Sequence, residues 1–137
     1  MALDVGARTL GVALSDELGI TAQPATTIRR RSLQADLKAI QELVARHDVT
    51  SLVVGLPLRL SGDSGTAAEG ARRFAAKMQE ALGVPVHTWD ERFTTVEAER
   101  ALLEGDVGRR RRREVVNQVA AALILQSYLD SRRPPRP

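Results

Sequence analysis

The chain has 137 residues, a formal net charge of +3 and no cysteine, and 18 of its 20 basic residues are arginine. This length suits one domain whose core needs no cross-links, and the lack of cysteine excludes disulfides and thiolate metal sites. Without a signal-peptide pattern or an apolar run of about 18 residues, we expect a soluble cytoplasmic protein with no membrane partner. The arginine excess favours a nucleic-acid partner, although a genome-wide preference for arginine codons explains the total equally well.

The first half of the chain predicts three strands, a helix and a fourth strand. Apolar residues alternate at 3–5 and at 10–14, and a short third strand is expected near 25–28. Ser32 fits the N-cap of a helix. The inward face of that helix would carry Leu33, Leu37, Ile40 and Val44. The run SLVVGLPL at 51–58 is typical of a strand that is buried on both faces of a sheet.

The second half predicts further helices around a fifth strand. The second helix would turn Ala71, Phe74, Met78 and Leu82 inward. The run VPVHTW at 84–89 predicts a strand, and a capping box at 94–97 would start a third helix. We expect the segment EGDVGRRRRR at 104–113 to interrupt the pattern, and a last helix over roughly 114–130 to be apolar on almost all sides and therefore buried.

This order of elements predicts an α/β fold with a mixed sheet covered by helices on both faces. The strand that carries Asp4 is early and apolar, so we expect it to be central. A single domain over 1–131 would end in a flexible, basic, proline-rich tail at 132–137. Sites in open sheets gather at the carboxyl ends of strands, which directs attention to the loops after Asp4, after Pro57 and after Trp89.

Two acids in these loops predict a metal site. If Glu91 faces Asp4, the two carboxylates repel by roughly 4 kcal/mol at 4 Å with an effective dielectric constant near 20, and a divalent cation would turn this repulsion into attraction. Oxygen ligands without cysteine indicate Mg²⁺ or Mn²⁺. Two such ions about 3.5–4 Å apart can activate a water and stabilise the leaving oxygen in phosphodiester cleavage. The alternatives are a locally satisfied turn carboxylate for Asp4 and a surface ion pair with Arg92 for Glu91.

Clustered arginines predict contacts to a nucleic-acid backbone, although runs of charge are most often solvated coil. The candidate binding side chains are Arg8, Arg92, Arg109, Arg110, Arg111, Arg112 and Arg113. Aromatic residues make up only 3% of the chain, which argues against a platform of stacked bases.

Four sequence blocks, in order, resemble the signature blocks of the YqgF/RuvX family. They are LDVGARTLGVALSD, VVGLPL, WDERFTT followed by EAE, and VVNQVAAALILQSYLD. The family is similar in fold to ribonuclease H and to the RuvC Holliday-junction resolvases. The resemblance implies a five-stranded mixed sheet, with its first three strands antiparallel, flanked by helices. It also implies metal-dependent cleavage of structured nucleic acid, in 5′-end maturation of the 16S ribosomal RNA precursor or in Holliday-junction resolution.

By position, the resemblance assigns the family's metal-binding and catalytic acids to Asp4 and Glu91, whereas the place of its third acid holds Asn117. An Asn oxygen can coordinate Mg²⁺ but brings no charge, so metal affinity should fall. We favour Asn117 as a neutral ligand in a natural enzyme. It could instead be an Asp changed to inactivate the enzyme, or Glu114 could reach the site in its place. The competing hypothesis for function is a catalytically weak nucleic-acid-binding protein of the same fold.

The preference between structured RNA and branched DNA is left open by the sequence. Resolution of a junction needs two paired active sites and therefore a dimer, whereas trimming of RNA does not. Both a monomer and a homodimer are compatible with these patterns.

Overall fold

The computed structural model describes residues 1–58, 65–96, 99–100 and 109–134, and of residues 109–113 the backbone alone. The strands are β1 (Ala2–Val5), β2 (Thr9–Ser15), β3 (Ala22–Arg29), β4 (Leu52–Leu56) and β5 (Val86–Asp90). The helices are α1 (Leu33–Arg46), α2 (Thr66–Ala81) and α3 (Arg109–Ser131), and a single 3₁₀ turn covers Glu91–Phe93. In the described part of the chain, no helix combines the length and apolar character needed to cross a bilayer.

The five strands form one mixed sheet in the order β3-β2-β1-β4-β5. β1 pairs antiparallel with β2, and β2 pairs antiparallel with β3. The pairs β1–β4 and β4–β5 are parallel. The predicted mixed sheet, with its first three strands antiparallel and the Asp4 strand at its centre, is therefore confirmed.

Each face of the sheet has its own apolar core, because successive side chains of a strand point to opposite faces. One core joins β1, β2 and β4 to α1 and α2, and it contains Leu3, Leu10, Val12, Val54, Ile40, Phe74 and Met78. The other joins the same strands to α3, and it contains Ala2, Ala13, Val53, Ala121, Ile124, Leu125 and Tyr128. The prediction that the last helix is buried against the sheet is confirmed.

Two elements near the third strand differ from the sequence-based expectation. β3 runs over Ala22–Arg29 rather than 25–28, since an edge strand tolerates Pro24, which cannot donate to a neighbouring strand. The N-cap of α1 is Ser32 as predicted, and its side chain accepts a hydrogen bond from the Ala35 amide at 3.1 Å. However, Leu33 is 43% exposed, and the buried position in that turn belongs to Asp36, which Arg30 neutralises at 3.2 Å.

The last helix begins five residues earlier than predicted. Its backbone is helical from Arg109, so the arginine run is helix rather than coil. Arginine is among the better helix formers, and the run continues directly into the buried part of α3. The predicted interruption at 104–108, the glycine- and serine-rich loop at 59–64 and the far end of the tail lie outside the described residues.

Candidate active site

Asp4 lies on the central strand, on the face of the sheet that α3 covers. It alternates with Ala2, which belongs to the α3-side core, and it pairs across the strands with Gly11 of β2. Its side chain is buried, and the residue is only 6% exposed. A carboxylate removed from water to this extent requires hydrogen bonds or a cation nearby, so Asp4 marks a polar site inside an otherwise apolar layer.

Glu91 is the first residue of the 3₁₀ turn that follows β5, and it is also 6% exposed. The turn is fixed by its neighbours: the Asp90 side chain accepts from the Arg92 amide at 2.9 Å, and the Thr94 hydroxyl donates to the Glu91 carbonyl at 2.8 Å. Gly55 of β4 leaves space for the acid, because a Cβ there would lie 3.2 Å from Glu91 Oε2. The Glu91 carboxylate therefore reaches over β4, towards the central strand.

One guanidinium group joins the two acids. The Arg100 Nη2 atom donates to Asp4 Oδ1 at 2.8 Å and to Glu91 Oε1 at 3.3 Å. Arg100 has helical backbone, as do Val96 and Glu99, and the Glu99 amide donates to the Thr95 carbonyl at 3.0 Å. The fold thus brings together two buried carboxylates that lie far apart in the sequence, with a cation between them.

Asn117 stands close to this pair because α3 approaches β2 at a glycine. A Cβ on Gly11 would lie only 2.0 Å from the Asn117 carbonyl oxygen, so no larger residue fits at that crossing. Since Gly11 is the pairing partner of Asp4, Asn117 lies one strand away from the acid, on the same face of the sheet. The half-buried Asn117 side chain donates from Nδ2 to the Thr9 hydroxyl in a short hydrogen bond. That geometry leaves the amide oxygen as an acceptor.

The structure does not support the two alternatives for Glu91 and Asn117, which were an ion pair of Glu91 with Arg92 and a replacement of Asn117 by Glu114. Glu91 is buried, and Arg92 instead pairs with Asp90 at 2.6 Å, an interaction that lowers the pKa of Asp90 and raises the pKa of Arg92. The surface ion pair expected as the alternative for Glu91 is therefore formed by its neighbour. Glu114 is exposed, and its carbonyl accepts from the Thr27 hydroxyl on the edge strand β3.

The predicted nucleic-acid contacts are only partly described. Arg8 is exposed in the turn between β1 and β2, where its carbonyl accepts from the Arg30 amide at 2.8 Å. Gly6 in that turn is required by its geometry, because a Cβ would lie 2.9 Å from the Thr9 carbonyl oxygen. The side chains of Arg109, Arg110, Arg111, Arg112 and Arg113 lie outside the described residues.

The residues of this site fit a hard divalent cation in their chemistry. Two buried carboxylates and one amide oxygen are the ligand types that Mg²⁺ and Mn²⁺ prefer. Within the ranges 1–58, 65–96, 99–100 and 109–134, no group of three or more His, Cys, Asp or Glu side chains could hold a metal. In this part of the chain, the acids that would give an ion its negative charge are Asp4 and Glu91, and Asn117 is the neutral donor proposed from the sequence.

Sequence patterns did not reveal the supporting residues of this site. Arg100 is a charged residue in a helical segment, which by pattern alone indicates solvent. Gly11 and Gly55 carried a usable signal, because a glycine inside a strand often marks the close approach of another backbone or group. Phe93 also escaped notice, although it is 68% exposed, two residues from Glu91, and packs its ring against Trp89 at a centroid distance of 5.6 Å.

Comparison with solved structures defines the class of fold first. The chain is similar to Thermus thermophilus RuvC in complex with a Holliday junction substrate, with a TM-score of 0.57, 14% sequence identity and coverage of 95% of this chain and 92% of that one. A second Thermus thermophilus RuvC structure gives the same TM-score at 16% identity, with coverage of 95% and 93% of the two chains. The protein therefore has the ribonuclease H-like fold of RuvC.

Sequence comparison then identifies the family. The RuvX family profile, described as "Holliday junction resolvase", matches residues 1–131, and this chain belongs to that family. A relative from Moorella thermoacetica is 61% identical over 130 residues, which cover 95% of this chain and 93% of the relative. One from Myxococcus xanthus is 56% identical over 135 residues, which cover 98% and 89%. Both relatives bear the name "Putative pre-16S rRNA nuclease".

Proposed function

We propose that this protein is a metal-dependent endonuclease that cleaves phosphodiester bonds in structured nucleic acid. The observation that carries the proposal is the pair of buried carboxylates, Asp4 and Glu91, which approach one cationic nitrogen beside the glycine crossing of α3. Names of the relatives favour the precursor of 16S ribosomal RNA as substrate, and the family description favours a Holliday junction. RNA processing would place the protein in the cytoplasm.

The proposed roles follow from charge and position. Asp4 and Glu91 would hold Mg²⁺ or Mn²⁺, and Asn117 would add a neutral oxygen from α3. When bound, such ions activate a water molecule and stabilise the leaving oxygen of the phosphodiester. The burial of both acids strengthens their attraction for a cation, because the field of a charge is screened less inside the protein than in water. The Asp90–Arg92 pair would act only by fixing the turn that positions Glu91.

The proposed substrate contacts are arginine side chains and one aromatic ring. Arg8 is exposed, and the arginines at 109–113 begin the helix that carries Asn117, so the phosphates of a bound nucleic acid would meet positive charge. The exposed ring of Phe93 offers a stacking surface for one base, which is a smaller contact than the multi-base platform that the low aromatic content argued against. We propose that residues 1–131 act as one nuclease domain, as a monomer on RNA or a homodimer on a junction.

A second candidate function is nucleic-acid binding without efficient cleavage, and Asn117 is the observation that favours it. Two carboxylates supply less negative charge than three, and a second metal ion would suffer most from the loss. This candidate predicts normal binding of RNA or junctions, with no cleavage at any metal concentration.

Cleavage assays on both substrates separate the two functions. The protein is incubated with a precursor 16S RNA fragment and with a four-way DNA junction, each with Mg²⁺, Mn²⁺ or a chelator. We expect metal-dependent cuts in at least one substrate, and Asp4→Asn should abolish cutting while binding is retained. Binding without cutting by the unmodified protein, under all of these conditions, would refute the enzyme proposal.

A further inference from the structure

We propose that Arg100 is an internal counter-cation of the metal site, which holds Asp4 and Glu91 together in the metal-free protein and competes with the divalent ion for them. This inference rests on the proposed function, since it concerns the same two acids. It adds a residue that none of the recognised sequence blocks includes, and it assigns that residue to the control of metal affinity.

The contacts of Arg100 indicate that it would compete with a divalent ion for the carboxylates of Asp4 and Glu91. A single Arg100 nitrogen contacts one oxygen of Asp4 at 2.8 Å and one oxygen of Glu91 at 3.3 Å. An ion held by both acids would need the space between those same oxygens. Both carboxylates are buried, so the guanidinium group stabilises charges that would otherwise be costly to remove from water.

The Arg100 side chain is accessible from solvent. It is 23% exposed, so its long stem can turn outward from the two acids. Nearby in the chain, Val96 is fully buried in the α3-side core, and the Thr94 hydroxyl accepts from the Val96 amide at 3.1 Å. Metal loading would therefore release a guanidinium group at the edge of the site.

Measured metal affinity tests the inference directly. Mn²⁺ binding is followed by calorimetry or by the electron paramagnetic resonance of free Mn²⁺, for the unmodified protein, Arg100→Gln and the control Arg30→Gln. The control removes the same charge from a different buried carboxylate, since Arg30 pairs with Asp36 at 3.2 Å. We expect Arg100→Gln to bind Mn²⁺ about tenfold or more tightly, in line with the strength of charge-assisted hydrogen bonds, and Arg30→Gln to stay within about twofold.

Thermal unfolding provides a second measurement. Without metal, Arg100→Gln should melt at a lower temperature than the unmodified protein, because two buried carboxylates lose a cation. Saturating Mn²⁺ should raise its melting temperature by more than it raises that of the unmodified protein. If the variant does not fold without metal, a Mg²⁺ titration of the unmodified protein by nuclear magnetic resonance replaces it. The Arg100 Nε–H signal should shift as metal binds, and an unmoved signal would overturn the inference.

The outcomes distinguish this inference from the proposed function. Equal or weaker Mn²⁺ affinity in Arg100→Gln, together with metal-dependent cleavage by the unmodified protein, would overturn the role of Arg100 and leave the nuclease standing. Absence of Mn²⁺ binding in all three proteins would overturn both.

Discussion

The crossing of α3 over β2 at Gly11 predicts a large effect from a single methyl group. In Gly11→Ala, the new Cβ would lie 2.0 Å from the carbonyl oxygen of Asn117 and 2.3 Å from its carbonyl carbon. These atoms belong to the helix backbone, so no side-chain rotation relieves the contact. Ordinary contact begins near 3.4 Å, and α3 must therefore move away from the sheet by about 1 Å or more.

We expect this displacement to lower the free energy of unfolding by at least about 2–3 kcal/mol, the upper range for overpacking a core. For a chain of this length, the melting temperature should fall by roughly 6–15 °C. The measurement is chemical denaturation followed by circular dichroism, with thermal unfolding in parallel. Movement of α3 also carries Asn117 away from Asp4, so the variant should need more metal for cleavage than the unmodified protein.

Two further glycines serve as matched comparisons for the same substitution. Gly70→Ala in α2 meets nothing within 4 Å, and it should stabilise the protein by roughly 0.5–1 kcal/mol through helix propensity. Gly55→Ala meets the end of the Ile124 side chain at 2.5 Å, which can move, so its cost should lie between the other two. A Gly11→Ala variant as stable as the unmodified protein would refute the close crossing and, with it, the placement of Asn117 beside Asp4.

The remaining predictions concern the third ligand and the substrate. Asn117→Asp should lower the Mn²⁺ concentration that gives half-maximal cleavage, because it adds a carboxylate to the site. The new carboxylate can keep the contact with Thr9 by accepting a hydrogen bond from the Thr9 hydroxyl. An unchanged Mn²⁺ titration would place residue 117 outside the ligand set. Phe93→Ala should weaken substrate binding about fivefold or more through loss of stacking on one base, while the melting temperature hardly changes because the ring is exposed. Equal dissociation constants would remove Phe93 from the contact surface.

Local patterns predicted much of the fold, because they indicate which side chains can be buried and where helices and strands begin and end. Alternation in β2, the apolar run of β4 and the N-cap at Ser32 each depend on near neighbours, and each was correct. Local patterns failed where a longer-range contact decides which residue is buried. Asp36 replaces Leu33 as the buried residue of its turn, because Arg30 at the end of β3 neutralises the acid.

The sequence by itself determined the types of group available for chemistry and the strands that carry them. Asp4 and Glu91 were recognisable as unusual acids beside apolar strands. The last sequence block showed that an uncharged residue, Asn117, stands where the family has its third acid. Only the tertiary structure decided their arrangement. Parallel pairing of β1, β4 and β5 brings the two acids together although they lie far apart in the sequence, and Arg100 lies within hydrogen-bond distance of both. Such distances depend on the packing of whole elements, which no local pattern encodes.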